Sequence, residues 1–400
     1  MRLLKVCFRN CKIFKKDVVI DFTNSNSVRK SPSEREHLLK AFKLKSGIYT
    51  QVLIAFTGLN ATGKTSILEL LSVVTDVLFK KAGLNSPNVL PKLVKMVPMK
   101  ETLDWEVFFS NEHTVYRLCS SIALKVMDSE PDREMRFIYK EEQLQEKPLS
   151  SVTRKTLFDF DGVKAIVRSA IASQELYLQE DASLASKFKE ATETVRTLGA
   201  ETNINIANFL GTPPVEILNV FDPNIERLNI RPGENGKRVT ELKFKHNDWA
   251  QYGGDPLGLL NFLSSGTIKG LTYGPSIIRV LKTGGYLFMD ELENHFNRKI
   301  IEWILELFTD TKTNPHGACL IFSTHYPELL DCVPRIDNIY ITRRDSEGYC
   351  ECVRFSDNID RNELSRSRII LENILGGTVP RFHDLKHAKE MVEQAVGKGE

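Results

Sequence analysis

The stretch QVLIAFTGLNATGKTS, residues 51–66, decides the fold. Its opening, Gln51 to Phe56, is β-branched and apolar, as expected of a strand buried on both faces. Gly58-Leu-Asn-Ala-Thr-Gly63-Lys64-Thr65 follows, a full G-x-x-x-x-G-K-S/T loop, and SILELLSVVTDVLF then repeats its apolar positions at helical spacing. Strand, glycine loop and helix in that order are the context this motif requires. Glycines let successive backbone N–H groups turn inward as an anion nest, and the helix N-terminus adds partial positive charge. The ligand expected here is ATP, its phosphates cradled by Gly58, Asn60, Ala61, Thr62, Gly63 and Ser66. Lys64 is expected to reach the β- and γ-phosphates and assist catalysis, and the Thr65 hydroxyl to ligate Mg2+.

Farther along, Tyr286-Leu-Phe-Met-Asp290-Glu291 is an apolar run ending in two acids. A buried strand should not end in adjacent carboxylates unless they face a cation or a reacting water. Asp290 is therefore assigned to Mg2+ and Glu291 to polarising the attacking water. About twenty residues upstream, Leu263-Ser264-Ser265-Gly266-Thr267 resembles the LSGGQ signature of ABC and SMC-like ATPases. In that group the signature opens a helix in one subunit and caps the γ-phosphate held by another. The resemblance assigns Ser264, Ser265 and Gly266 to that role. Cys319-Leu-Ile-Phe-Ser-Thr-His325 is a further apolar strand, ending where such ATPases place a switch histidine. His325 is thus a catalytic candidate, and Asn294 and His295 resemble the D-loop.

With these motifs in order, the chain resembles the ABC/SMC-like AAA family ATPases of bacterial antiphage defence, the abortive-infection and OLD-type group. LLKVCFRNCKIFKKDVVIDF is similar to that group's N-terminal hairpin, whose turn approaches the nucleotide, which implies nucleotide contacts for Asn10 and Lys12. ILNVFDPNIERLNI (217–230) resembles its second-lobe element, and ILGGTVPRF (374–382) its glycine-rich ending. The implied fold is α/β, an ABC-type P-loop ATPase head with a mixed central sheet, an antiparallel β-lobe and a compact helical insertion. Two departures stand out. No glutamine occurs between Gln51 and Gln143, where ABC ATPases carry the Q-loop that couples ATP to a partner domain. Gly270, Gly274 and Pro275 follow the signature and predict a break in its helix.

The remainder divides by pattern. Residues 1–150 read as a first ATPase lobe, with 102–140 alternating as antiparallel strands around an Asn-Glu turn. Residues 151–255 read as a helical arm or lid leading into a second lobe, helical over 151–210 and including ASLASKFKEATETVRTL. Residues 256–400 form that lobe, with a strand pair after 335 and a charged helical end. SNSVRKSPSERE (25–36) reads as an exposed loop. The first fifty residues hold twelve Lys or Arg against four Asp or Glu, a net of +8, so the other 350 carry −6. No apolar run is long enough to span a bilayer, and seven scattered cysteines lack zinc-like spacing, so a cytoplasmic protein is expected. Two functions follow, beside a third, a regulatory ATPase whose partners are unrelated to defence. One is an ATP-dependent switch in an antiphage system, a homodimer or higher homo-oligomer around ATP that controls a companion effector, a TOPRIM-type nuclease or toxin. The other is a RecF-like repair clamp that binds nucleic acid through the basic N-terminal region.

Overall fold

The computed structural model describes residues 1–25, 28, 37–127, 134–172, 178–187, 195–198, 211–233, 238–246, 252–359 and 364–397. Its central sheet has six strands, here numbered in chain order. They run β10 (Val195–Leu198), β14 (Tyr286–Met289), β15 (Cys319–Thr324), β5 (Leu53–Gly58), β16 (Ile339–Arg344) and β17 (Cys350–Arg354). All neighbours are parallel except β17, which turns back on β16. The sheet is therefore mixed, as expected.

Side chains alternate across it. Ile54, Phe56, Tyr286, Phe288, Ile321 and Tyr340 enter one core, shared with α1 (Lys64–Lys80). Leu53, Ala55, Leu287, Met289, Leu320 and Ile341 enter the other, against α5 (Ser265–Thr283) and α6 (Arg298–Thr309). Burial on both faces is why these strands read as continuous apolar runs.

A second six-stranded sheet lies over α1 and is wholly antiparallel. Its order is β2 (Val18–Asp21), β1 (Arg2–Arg9), β6 (Leu103–Ser110), β7 (Thr114–Met127), β8 (Glu134–Pro148) and β9 (Ala165–Val167). It contains the N-terminal hairpin and the strands expected within 102–140. Smaller elements are the hairpin β3 (Phe42–Lys45) and β4 (Ile48–Thr50), and the sheet of β11 (Ile225–Pro232), β12 (Arg238–Phe244) and β13 (Tyr252–Gly254). The other helices are α2 (Leu90–Met96), α3 (Arg168–Ala172), α4 (Val215–Phe221), α7 (Arg366–Leu371) and α8 (Phe382–Gly397). No helix among the described residues is long and apolar enough to cross a membrane.

Two expectations are corrected. The described part of 151–210 holds β9, the five-residue α3, a 3-10 turn at Leu184–Lys187 and β10, not a run of helices. Residues 173–177, 188–194 and 199–210, which complete that reading, lie outside the described residues, as does most of the loop read at 25–36. Val195–Leu198 pairs in parallel with Tyr286–Met289, so an open sheet edge wins over helical periodicity there.

The second correction concerns the break expected after the signature. α5 runs unbroken through Pro275, from its cap at Ser264 to Gly284. The Thr272 and Ser276 hydroxyls donate to the carbonyls of Lys269 and Thr272 in that stretch. The glycines serve packing: a Cβ at Gly270 would lie 2.3 Å from the Phe221 ring, and one at Gly274 2.7 Å from Ile217. Both neighbours belong to α4, so α4 and α5 touch nearly backbone to side chain.

Gly270→Ala is accordingly expected to destabilise the protein by about 1–3 kcal/mol through overpacking, against the helix propensity that favours alanine. Urea unfolding measures this, and an unchanged or raised midpoint would mean that the Phe221 ring gives way freely.

Candidate nucleotide site

Gly58 ends β5 with φ +150°, and a Cβ there would sit 2.1 Å from the carbonyl oxygen of Thr342 on β16. Gly63 has φ +98° and lies against Phe14, whose ring a Cβ would meet at 2.8 Å. Both positions exclude side chains, and between them the chain loops around a cavity of about 560 Å³. Asn60 through Ser66 line that cavity, together with Asp290, Glu291 and His325. Motifs some 230 residues apart in sequence thus meet because their strands, β5, β14 and β15, are neighbours ending on the same side.

The polar groups are tightly connected. The Lys64 ammonium donates to the carbonyls of Gly58 (2.9 Å) and Leu59 (2.8 Å). Thr65 Oγ1 donates to Asp290 Oδ2 at 2.8 Å. Asp290 Oδ1 accepts from the Ser323 hydroxyl, which itself accepts from the Glu291 N–H at 2.8 Å. Glu291 has φ 47°, a left-handed turn that swings its carboxylate toward His325, Oε1 to Nε2 3.8 Å. The His325 N–H donates to Glu293 Oε1 at 2.6 Å. Burial lowers the Lys64 ammonium to about 8, although Asp290, Glu293 and Glu291 pull the other way.

The remaining predicted residues lie elsewhere. Ser264 caps α5, its hydroxyl accepting from the Thr267 N–H at 3.1 Å. Neither it, Ser265 nor Gly266 lines the phosphate cavity. Gly266 instead faces the His295 carbonyl, 2.5 Å from where a Cβ would be. Asn10 and Lys12 are also outside the cavity. Asn10, at φ 54°, turns its amide to Asp104 (3.0 Å), and Lys12 is exposed; Ile13 is the residue of that loop that lines the site.

Residues 53–331 match the family described as "AAA domain, putative AbiEii toxin, Type IV TA system". The chain belongs to that AAA family. The match takes in every motif from the phosphate loop to His325. The solved SMC head domain from Thermotoga maritima is similar to 88% of this chain over 99% of its own, at 13% identity and a TM-score of 0.39. No curated protein matches at a significant level. As an AAA-family ATPase domain, the chain is of a kind that binds and hydrolyses ATP with Mg2+. Its residues fit that ion. Thr65 and Asp290 already lie in hydrogen-bond contact, and no larger metal cluster of His, Cys, Asp or Glu occurs among the described residues. One carboxylate and one hydroxyl suit Mg2+, which takes most of its remaining ligands from phosphates and water.

Three residues of this AAA domain escaped the sequence reading. Ser323 and Glu293 brace Asp290, Glu291 and His325, as described above. Lys269, on α5, is fully buried and donates to the Asn294 carbonyl (2.7 Å) and the Glu291 carbonyl (3.3 Å). Its ammonium also lies 5.0 Å from the Phe296 ring centroid, and burial lowers it to about 8. The only sequence signal was a lysine amid apolar helix positions, which reads equally well as a solvated one.

Two outcomes are expected. Lys269→Met keeps the volume but removes both hydrogen bonds, so ATP hydrolysis should fall about ten-fold or more while ATP affinity holds within about three-fold. Equal losses in both would mean a general collapse of the site. For Lys64, phosphate binding requires the cation. Below pH 8 the lysine is already charged; above it, each binding event must take up a proton. ATP affinity should therefore weaken about ten-fold from pH 7 to pH 9, with calorimetric heats that depend on the buffer only at the higher pH. A flat profile would contradict a lysine poised near 8.

Proposed function

We propose that this ATPase is a switch subunit that dimerises around ATP, each P-loop cavity being completed by the signature of a second copy. The observation that carries this reading is the separation of Ser264–Gly266 from the chain's own phosphate cavity. A helix N-terminus bearing serines and a glycine is suited to a γ-phosphate but has none of its own within reach. In this scheme Lys64 and the loop hold the phosphates, Thr65 and Asp290 hold Mg2+, and Glu291 orients the attacking water beside His325. Mg2+ would neutralise charge on the phosphate oxygens. The cellular role proposed is antiphage defence, with ATP-driven closure controlling a separate effector such as a TOPRIM-type nuclease. The resemblance noted from sequence and the family's toxin–antitoxin description support it.

The clamp reading finds less support. Several of the basic N-terminal residues are paired within the chain, although Arg9, Lys15 and Lys16 keep 47%, 48% and 74% of their side chains exposed. Arg9 pairs with Asp17 and Glu106, Lys15 with Glu347 and Lys16 with Glu351. Lys45 donates to three backbone carbonyls.

Glu291→Gln is the test. It should bind ATP, hydrolyse it about a hundred-fold more slowly or worse, and shift to a dimer or larger species by light scattering. Ser265→Arg in the same background should return it to monomer without abolishing ATP binding. A Glu291→Gln protein that stays monomeric with ATP would sink the sandwich.

A further inference from the structure

The phosphate cavity has two unlike ends. Toward β14 and β15 it is closed by Asp290, Glu291 and His325. The other end is closed by Ile13 and by Arg344, Gly348, Tyr349 and Cys350 of the β16–β17 turn. Because β5 lies between β15 and β16, the two ends stand on opposite sides of the phosphate loop.

The second end is rigidly made. The Cys350 N–H donates to the Ile13 carbonyl at 3.0 Å, joining the turn to the loop after β1. Lys15 pairs with Glu347 at 2.5 Å across the same junction, and its ammonium lies 5.9 Å from the Tyr349 ring centroid. Asp345 Oδ1 accepts from the N–H groups of Glu347 and Tyr349, both at 2.9 Å. The Arg344 guanidinium reaches the Gly348 carbonyl. The Cys350 thiol faces the Ala61 carbonyl at 3.9 Å, so the turn abuts the phosphate loop itself. Yet Tyr349 is 44% exposed. A fixed turn thus presents a partly exposed aromatic ring at the mouth of an anion cavity.

We propose that this turn is the nucleobase subsite, with Tyr349 stacking on the base and Ile13 supplying apolar surface beside it. The inference rests on the ATP reading above. A triphosphate whose terminal phosphate lies by Glu291 and His325 must lead its nucleoside toward the opposite end, where Ile13 and Tyr349 are. Aromatic stacking is open to any base, because every base has a π-face. The turn therefore confers affinity for a nucleoside, while the phosphate loop alone serves inorganic polyphosphate.

The test compares Mg2+–ATP with Mg2+–tripolyphosphate by titration calorimetry on the full chain. Tyr349→Ala should weaken ATP about ten-fold or more and leave tripolyphosphate within about two-fold of wild type. Tyr349→Phe should retain ATP affinity. Unchanged ATP affinity in Tyr349→Ala, or parallel loss of both ligands, overturns the subsite. Wild type that binds tripolyphosphate as well as ATP overturns it too, while leaving the phosphate loop intact. Wild type that binds neither defeats the ATP reading itself.

Discussion

Asp290 follows a strand whose four residues are all buried, and both of its carboxylate oxygens are taken. Ser323 donates to one and Thr65 to the other, so the C-terminal ends of β14 and β15 and the first turn of α1 are tied together through one side chain. Asp290 is half-buried at the end of that strand, and a carboxylate drawn from water without donors or a cation is costly. That requirement fixes much else. It brings the residue after Lys64 against β14, holds the Glu291 N–H on Ser323, and leaves the Glu291 carboxylate to project on a left-handed turn. The cavity takes its shape from these constraints as much as from the glycine loop.

Lys269 extends the same logic to the signature helix. An ammonium with no exposed surface, and with no carboxylate paired to it among the described residues, is held by two carbonyls and two aromatic faces. The carbonyls belong to Glu291 and Asn294, in the turn after β14. The rings belong to Tyr273 and Phe296, the first on α5 and the second just before α6. One buried cation therefore joins the helix that Ser264 caps to the turn that carries the acid beside Asp290.

What could be read from the chain was local chemistry. Gly58 to Ser66, Asp290 with Glu291, and His325 are recognisable because each pairs an apolar strand with polar groups that such a strand should not end in. The central sheet followed from those same runs. What could not be read was decided by distant partners. Val195–Leu198 is a strand only because β14 offers an edge, and α5 survives Pro275 because α4 and the core hold it from both sides. Asn10 looked like a nucleotide contact, but Asp104 claims its amide. Tyr349 and Arg344 carry no motif; only the pairing of β17 with β16, and of Cys350 with Ile13, brings them to the phosphate loop. Lys269 could not be told from a surface lysine until its helix had a buried face.

The glycines of α5 complete the mechanical argument. Gly266 meets the His295 carbonyl and Gly270 the Phe221 ring, each at a distance no side chain would permit. With Lys269 bonded between them, the first turns of α5 meet the segment from Glu291 to Phe296 at two successive points, Gly266 and Lys269, and α4 at a third, Gly270. The N-terminal turns of α5 and the Glu291 turn are therefore joined directly through Lys269, although Ser264–Gly266 do not line the cavity.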